Sequence, residues 1–164
     1  VGRSWFDLHI TPLKRAGGEQ SGLTCVVRDI SERKEAEEEL RQAKNMLELV
    51  INNIPQLIFW KDRSGKYLGC NENGAKVAGL KKPDDILGKT DYELAWQEET
   101  ADFFRECDER IMGSGKAEFG LEISQRQADG TEIWFSANKV PLYDKEGNVS
   151  GILVTYEEIG RAHV

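Results

Sequence analysis

The fold is decided by residues 133–159, which read IWFSANKVPLYDKEGNVSGILVTYEEI. Two runs rich in β-branched and aromatic residues, from Ile133 to Leu142 and from Val149 to Ile159, flank a polar turn of six residues. Such runs on either side of turn-forming residues predict a β-hairpin.

A related stretch opens the chain. A shift of 129 positions aligns residues 1–30 with residues 130–159 without a gap and gives eight identities in thirty positions. The identical pairs are Trp5 and Trp134, Phe6 and Phe135, Pro12 and Pro141, Leu13 and Leu142, Gly18 and Gly147, Ser21 and Ser150, Gly22 and Gly151, and Ile30 and Ile159. We therefore predict that residues 1–30 are the terminal hairpin of a preceding copy of the same domain.

Between the two copies, residues 31–54 contain neither Gly nor Pro and are rich in Glu, Lys, Arg, Ala and Leu. This composition predicts a linking helix with Ser31 as its N-cap and Pro55 just beyond its end. Apolar residues recur at alternating spacings of four and three, which is typical of a coiled-coil seam. The pattern predicts a homodimer in which the helices of two chains pack through Leu40, Ala43, Leu47, Val50 and Ile54. In this dimer, the hairpin of residues 1–30 is expected to pair with the same hairpin of the second chain. The alternatives are a helix that lies on its own domain and a hairpin that docks on the complete domain.

Residues 55–159 have the element order of a complete domain. Two short strands follow Pro55, then come short helices, a longer helix over 97–112 and three long strands, with a turn signal at Asp129-Gly130. This order predicts an α+β domain, a five-stranded antiparallel sheet with helices on one face. The spacing of Phe103, Cys107 and Ile111 predicts the buried face of the long helix.

The order of the elements, with the turn and cap residues between them, resembles a PAS domain of the bacterial sensor-protein kind. The matching features are Asp62-x-x-Gly65, Asn71, Ile86 to Asp91, Asp129-Gly130 to Trp134, Pro141-Leu142, Asp144, Gly147 and Gly151. The signal junction Asp29-Ile30-Ser31 resembles the Asp-Ile-Thr signature between a PAS core and its outgoing helix. The resemblance implies a PAS fold over 55–159, a truncated PAS hairpin over 1–30, a signalling helix over 31–54 and a tail over 160–164.

The resemblance also implies an apolar cavity between the sheet and the helices, where PAS domains hold small ligands. The candidate pocket residues are Trp60, Leu68, Phe103, Cys107, Phe119, Leu121, Trp134, Ser136, Asn138 and Tyr156. The alternative is that the apolar members only fill the core. Asn138 and Ser136 would orient a polar ligand if they face inward. Because Trp134 recurs as Trp5, we expect it to be a buried structural residue.

Composition and motifs exclude several functions. The net charge is −7, and a phosphate-binding surface needs a basic patch, so no nucleic-acid partner is expected. No run approaches the roughly 18 apolar residues of a membrane span, so no membrane contact is expected either. The three cysteines fit no metal or disulfide pattern, and we expect a cytoplasmic protein. No histidine lies between residues 31 and 159 and no flavin-attachment motif occurs, so neither haem nor flavin is expected. Catalytic motifs are also absent, so no catalytic or metal-binding residue is predicted.

Three functions stay open from the sequence. The first is a sensory module, in a protein such as a histidine kinase, whose small ligand or partner changes the linking helix. The second is a ligand-free dimerisation and relay module in a diguanylate cyclase or another sensory protein. The third is an enzyme of unknown type, which no motif supports.

Overall fold

A computed structural model describes residues 3–14, 16–18, 20–95, 97–126 and 131–163. The chain divides into two compact units, residues 1–47 and residues 48–164. The strands are β1 (Phe6–Lys14), β2 (Gln20–Asp29), β3 (Leu57–Asp62), β4 (Tyr67–Cys70), β5 (Glu118–Arg126), β6 (Thr131–Tyr143) and β7 (Val149–His163). The helices are α1 (Ser31–Asn53), α2 (Glu72–Val77) and α3 (Glu98–Ser114), with short 3-10 turns at Pro83–Ile86 and Asp91–Glu93. No helix in the described part of the chain has both the length and the apolar character needed to cross a bilayer.

The first unit contains the hairpin β1–β2 and most of α1. The two strands pair antiparallel from Phe6 opposite Asp29 to Lys14 opposite Gln20, with a bulge after Leu13. Every side chain of β1 is exposed, as expected for two strands without a further sheet or helix layer.

The signal junction connects β2 to α1. The carboxylate of Asp29 accepts a hydrogen bond from the Ser31 N–H at 2.9 Å, and the Ser31 hydroxyl accepts one from the Trp5 N–H at 2.9 Å. Hydrogen bonding to the side chain and the backbone N–H of Ser31 lowers the pKa of Asp29. The prediction that Ser31 is the N-cap is wrong, because Ser31 is already the first residue of α1. The Ser31 N–H donates to the side chain of Asp29.

Helix α1 has charge pairs along its surface and no buried side chains. Arg33 pairs with Glu37 and Arg41 pairs with Glu38 on its surface. No residue of α1 is buried, and the apolar seam side chains Leu40 and Leu47 are exposed. Its helical conformation therefore follows from composition and spacing within the segment.

The second unit is built on one antiparallel sheet with the strand order β4-β3-β7-β6-β5. Helices α2 and α3 pack on the same face, where Phe59 and Tyr67 meet Ala75, and Ile111 meets Ile152. The predicted α+β architecture with five strands is confirmed. The predicted turn at Asp129-Gly130 lies outside the described residues.

One boundary and one buried face differ from the predictions. Strand β7 continues past Ile159 to His163, because β6 offers pairing partners as far as Thr131. Helix α3 buries Phe104, Cys107, Ile111 and Met112, whereas the side chain of Phe103 is 41% exposed. Cys107 and Ile111 are therefore buried as predicted, and Phe104 takes the inward position expected for Phe103. The helix is capped by Gly115 in the left-handed conformation.

Candidate functional site

A pocket lies between the inner face of the sheet and helix α3. Its lining residues are Leu57, Phe59, Tyr67, Val77, Thr100, Phe104, Ile123, Gln125, Phe135 and Tyr156. The walls are mainly aromatic and aliphatic, and the free volume for a water-sized sphere is about 20 Å³, enough for about one water molecule. The side chains of this core therefore nearly fill the space between sheet and helices.

Tyr156 is the central residue of the pocket. Its ring contacts those of Phe59, Phe104 and Phe135 at centroid distances of 5.9, 5.7 and 6.5 Å. Burial of the Tyr156 hydroxyl, with Asp108 nearby, raises its pKa well above the usual value. Part of the ring surface remains accessible because the ring faces the pocket.

The hydroxyl of Tyr156 has no hydrogen-bond partner among the described residues, and neither do the side chains of Thr100 and Gln125, which also line the pocket. All three residues are half-buried. Polar groups without a protein partner beside an apolar space are suited to hydrogen bonding with a water or a small molecule there.

Four fully buried charges lie directly beside the pocket and form a chain. The Lys61 ammonium contacts both carboxylate oxygens of Asp91 at 2.7 Å and Asp108 at 2.8 Å, and Lys139 donates to the other oxygen of Asp108. The Tyr67 hydroxyl donates to Asp91 at 2.7 Å. The two positive and two negative charges balance, which is the condition for burying them without a large desolvation penalty.

The ion chain stands behind the pocket wall. The Lys61 ammonium lies 4.7 Å from the ring centroid of Tyr67, and the Lys139 ammonium lies 5.3 Å from that of Phe104. Tyr67 and Phe104 both line the pocket, so their rings separate its interior from the charges. The chain joins β3, β6 and α3, and it fixes the helix to the sheet.

A second buried polar centre, Asn71, joins the end of helix α1 to the domain. Its side-chain amide donates to the carbonyl oxygens of Ile51 at 3.1 Å and Gln56 at 2.8 Å, with a longer contact of 3.5 Å to Ile54. Its side-chain oxygen accepts from the N–H groups of Ile58 and Gly74 at 3.0 and 2.9 Å. The Asn71 side chain thus satisfies backbone groups on both sides at once.

Tyr156 is the one of the ten predicted pocket residues that lines this pocket. Strand alternation explains most of the errors: Phe135, Ala137 and Lys139 face inward and are buried, so Trp134, Ser136 and Asn138 point to the opposite face. Asn138 there donates to the Thr155 hydroxyl and accepts from the Gly120 N–H. The prediction that Trp134 is buried is wrong, since 37% of it is exposed.

The other predicted residues have different positions. The Trp60 ring covers Gly69 on the outer face, leaving no room for a Cβ at that glycine. Leu68 and Phe119 are exposed, and Phe103 lies at the surface of α3. Cys107 is buried beside Arg110, and Leu121 packs on Phe104 and Ile123 at the edge of the pocket.

Sequence reasoning missed the ion chain, although two signals for it were present. Lys61 and Lys139 occupy inward positions of β3 and β6, where a charged residue requires a buried partner. Asp108 lies four residues after Phe104 on the buried face of α3. The partner acids come from distant segments, so only the tertiary fold could identify them.

Comparisons with known proteins agree with this architecture. The sequence profile of the family described as PAS fold matches residues 51–164. The methanogenesis regulatory histidine kinase FilI of Methanothrix harundinacea (strain 6Ac) is 30% identical over 115 residues. That match covers 70% of this chain and 12% of the kinase, so the chain spans a small part of this relative.

Solved structures share the fold at low sequence identity. VqmA of Vibrio cholerae, in a complex with ligand and DNA, superimposes with a TM-score of 0.61 at 22% identity, covering 73% of this chain and 50% of that one. The PAS domain of BvgS from Bordetella pertussis gives a TM-score of 0.58 at 19% identity, covering 73% of this chain and 88% of that one.

The predicted partners, a homodimer without nucleic acid or membrane contact, require a correction. The exclusion of nucleic acid is wrong as a general inference, because VqmA has this fold and was solved with DNA. The exclusion rested on the net charge of −7. The charge of one segment describes its own surface field and does not determine the partners of a longer protein.

Proposed function

This chain belongs to the PAS fold family, and we propose that it is a sensory and relay module of a signal-transduction protein such as a histidine kinase. In this proposal, the occupancy of the pocket changes the hydrogen bonds that hold the last turn of α1. The hydrogen bond from the Asn71 amide to the Ile51 carbonyl in that turn, next to its bond to Gln56 just beyond the helix, is the observation that carries the proposal.

The path from the pocket to the helix is short. The Phe59 ring lines the pocket and packs closely on Gly74, where an added Cβ would lie 3.0 Å from the ring and 3.1 Å from the Asn71 side-chain oxygen. A ligand that moves Phe59 therefore presses on the residue that is hydrogen-bonded to Asn71. Asn71 in turn holds the carbonyl groups of Ile51 and Gln56.

Neighbouring side chains support the same connection. The Asn52 side chain accepts a hydrogen bond from the Glu72 N–H at 3.0 Å, and Asn73 donates to the Ile54 carbonyl at 3.2 Å. The end of α1 and the start of α2 are thus joined from both sides. A shift of α2 would be transmitted to the helix end because these bonds leave little freedom between the two elements.

We further propose that residues 1–30 are the end of a preceding PAS domain. Residue pairs in β1–β2 correspond to those in β6–β7 after a shift of 129, including the bulge positions after Leu13 and Leu142. Gly18 and Gly147 have φ values of 87° and 86°. A chain with such a segment before α1 is expected in a protein with serial sensory domains.

A second candidate function is relay without a ligand. The observation that favours it is the small free volume of the pocket, about 20 Å³, which aromatic side chains already fill. In that case, strain from a neighbouring domain would pass through the Asn71 contacts, and the pocket would serve as core.

Asn71→Asp tests the proposal, because it keeps the side-chain oxygen that accepts from Ile58 and Gly74 but removes the amide that donates to the helix end. The measurement is amide hydrogen exchange over residues 48–56 in a double-mutant cycle with Phe59→Leu. We expect Phe59→Leu to change exchange there in the wild type and to have little effect in the Asn71→Asp background.

Asn138→Asp is the matched control, since Asn138 lies on the outer face and bonds to Thr155. It should leave the response to Phe59→Leu intact. An equal response in all backgrounds, or no response in any, would contradict the relay through Asn71.

A further inference from the structure

Two glycines at corresponding positions of the two hairpins have different surroundings. Gly151 of β7 lies opposite Asp62 of β3, and a Cβ added at Gly151 would lie 2.2 Å from the carbonyl oxygen of Lys61. No side chain fits at that distance, so the pairing of β3 with β7 requires a glycine there. The counterpart of Gly151 in the first hairpin is Gly22 of β2.

Among the described residues, nothing around Gly22 requires a glycine. Within 4 Å, a Cβ added there would meet only the Leu13 side chain, at 3.9 Å, which is an ordinary van der Waals distance. Gly22 also lacks the positive φ that makes some turns and bulges require glycine. Because glycine weakens a strand unless another backbone approaches closely, this position indicates a neighbouring strand.

The edge of β2 that faces away from β1 has no strand beside it in the described part of the chain. We infer that this edge binds an extended strand in antiparallel orientation, whose backbone comes closest at Gly22. Such main-chain pairing at a sheet edge is the binding mode called β-augmentation. The inference rests on the proposed assignment of residues 1–30 to the end of a PAS domain.

The complete domain gives the length and register of the incoming strand. Strand β3 pairs with residues 151–156 of β7 through its six residues Leu57–Asp62. The shift of 129 positions transfers these β7 positions to residues 22–27 of β2. The site therefore consists of the main-chain groups of residues 22–27, and the incoming strand ends beside Gly22.

The hairpin face that corresponds to the core face of β6–β7 determines which side chains the incoming strand needs. This face consists of exposed apolar side chains and one thiol, from Leu8, Ile10, Leu23, Cys25 and Val27. Each incoming side chain on this face therefore meets an apolar neighbour across the strands. A strand with apolar residues at these alternate positions is thus the partner that fits.

One position distinguishes this partner from β3 itself. Lys61 of β3 lies opposite Ile152, whose counterpart in β2 is Leu23. Lys61 is buried in the complete domain because Asp91 and Asp108 neutralise its charge. The neighbours of Leu23 on its face of the hairpin are apolar, so we expect the incoming strand to have an apolar residue in place of that lysine.

A synthetic peptide in solution with the full chain tests the inference. The peptide carries the β3 sequence Leu57–Asp62 with Lys61→Ile, and added lysines at both ends keep it soluble. Titration followed through the backbone amide signals of the chain should give saturable shifts and slower hydrogen exchange over residues 22–27. The peptide that retains Lys61 should bind about two- to fivefold more weakly, because it loses one apolar cross-strand pair with Leu23.

Gly22→Ala and Gly17→Ala form a matched pair of variants. The methyl group at position 22 occupies the place of the incoming carbonyl oxygen, so the peptide affinity should fall by about tenfold or more, since main-chain hydrogen bonds supply the affinity in this mode. Gly17 lies in the turn, where an added Cβ meets none of the described residues within 4 Å, so its variant should bind as the wild type does. Amide signals of β1 without peptide verify that both variants keep the hairpin.

Gly151→Ala tests the premise in the complete domain. It should lower the thermal unfolding midpoint of the second unit, because its methyl group collides with the Lys61 carbonyl. Gly22→Ala should leave the unfolding of the chain unchanged. Equal tolerance of the two substitutions would overturn the inference.

The peptide titration decides the rest. Equal peptide affinity of the variants at Gly17 and Gly22, or no binding of either peptide, would overturn the inference. Protection of residues 22–27 that rises with the concentration of the chain alone would identify a second copy as the occupant and overturn it as well. Each of these failures leaves the relay through Asn71 standing, because the hydrogen-exchange cycle on that residue decides it separately.

Discussion

The hairpins β1–β2 and β6–β7 have related sequences and the same register but opposite environments. Phe6 pairs with Asp29 as Phe135 pairs with Glu158, and the Ser21 and Ser150 hydroxyls donate to the carbonyls of Leu13 and Leu142 at 3.4 and 3.3 Å. Phe6 is 59% exposed, whereas Phe135 is 8% exposed. The local hairpin thus forms from its own sequence, but burial requires the rest of a sheet and its helices.

The side chains that face the core in β6–β7 have different counterparts in β1–β2. Lys139 and Tyr156 of the complete domain correspond to Ile10 and Val27 of the first hairpin. The ion chain and the buried hydroxyl therefore belong to the complete domain and are not requirements of the hairpin. Substitutions at paired positions can separate the contribution of local structure from that of the surrounding core.

Replacement of Lys139 by the residue found in the first hairpin should have the largest effect. Lys139→Ile leaves Asp91 and Asp108 sharing Lys61 in a buried site, so we expect the free energy of unfolding of the second unit to fall by about 3–5 kcal/mol. Urea unfolding measures the change, with Ile10→Ala as the exposed counterpart at less than about 0.5 kcal/mol. A loss below 1 kcal/mol for Lys139→Ile would show that the ion chain contributes little.

The paired phenylalanines should differ nearly as much. Phe135→Ala removes a buried ring that contacts Tyr156 and should lower the free energy of unfolding by about 3–4 kcal/mol. Phe6→Ala removes an exposed ring and should cost about 0.5 kcal/mol or less. Equal losses in chemical unfolding would mean that the first hairpin is covered in solution.

Alkaline pH should distinguish Tyr156 from Val27, which has no ionisable group. Because burial raises the pKa of Tyr156 in the folded state, its stabilising contribution is complete below pH 10 and is lost as the pH rises above the unfolded-state pKa of about 10. Relative to Tyr156→Phe, the wild type should lose about 1.4 kcal/mol per pH unit above that value. Parallel stability curves from pH 8 to pH 11 would contradict the buried position of the hydroxyl.

The paired tryptophans should show the smallest contrast. Trp134 and Trp5 are 37% and 49% exposed, so each alanine substitution should cost only about 1 kcal/mol. Thermal unfolding of both variants measures this. A loss above about 3 kcal/mol for Trp134→Ala would instead be the response of a buried core residue.

Much of the fold could be predicted from the sequence, because its signals are local. The repeat identified the hairpins, the absence of Gly and Pro marked α1, and the order of strands and helices gave the α+β class. The candidate site could not be predicted to the same depth. An alternating strand such as β6 defines two faces, and assigning Trp134, Ser136 and Asn138 to the inner one was wrong because the sequence does not state which face meets the helices.

The sequence by itself determined the turn, the bulge and the register of each hairpin, since these depend on neighbours and on residues such as Gly18 and Gly147 that adopt positive φ. It also determined the helix over Ser31–Asn53 through composition and spacing. Only the tertiary structure decided that Lys61, Asp91, Asp108 and Lys139 meet in one buried chain. The physical reason is that a buried charge is tolerated only beside its counter-charge, and here the partners come from segments 30 to 47 residues apart in sequence.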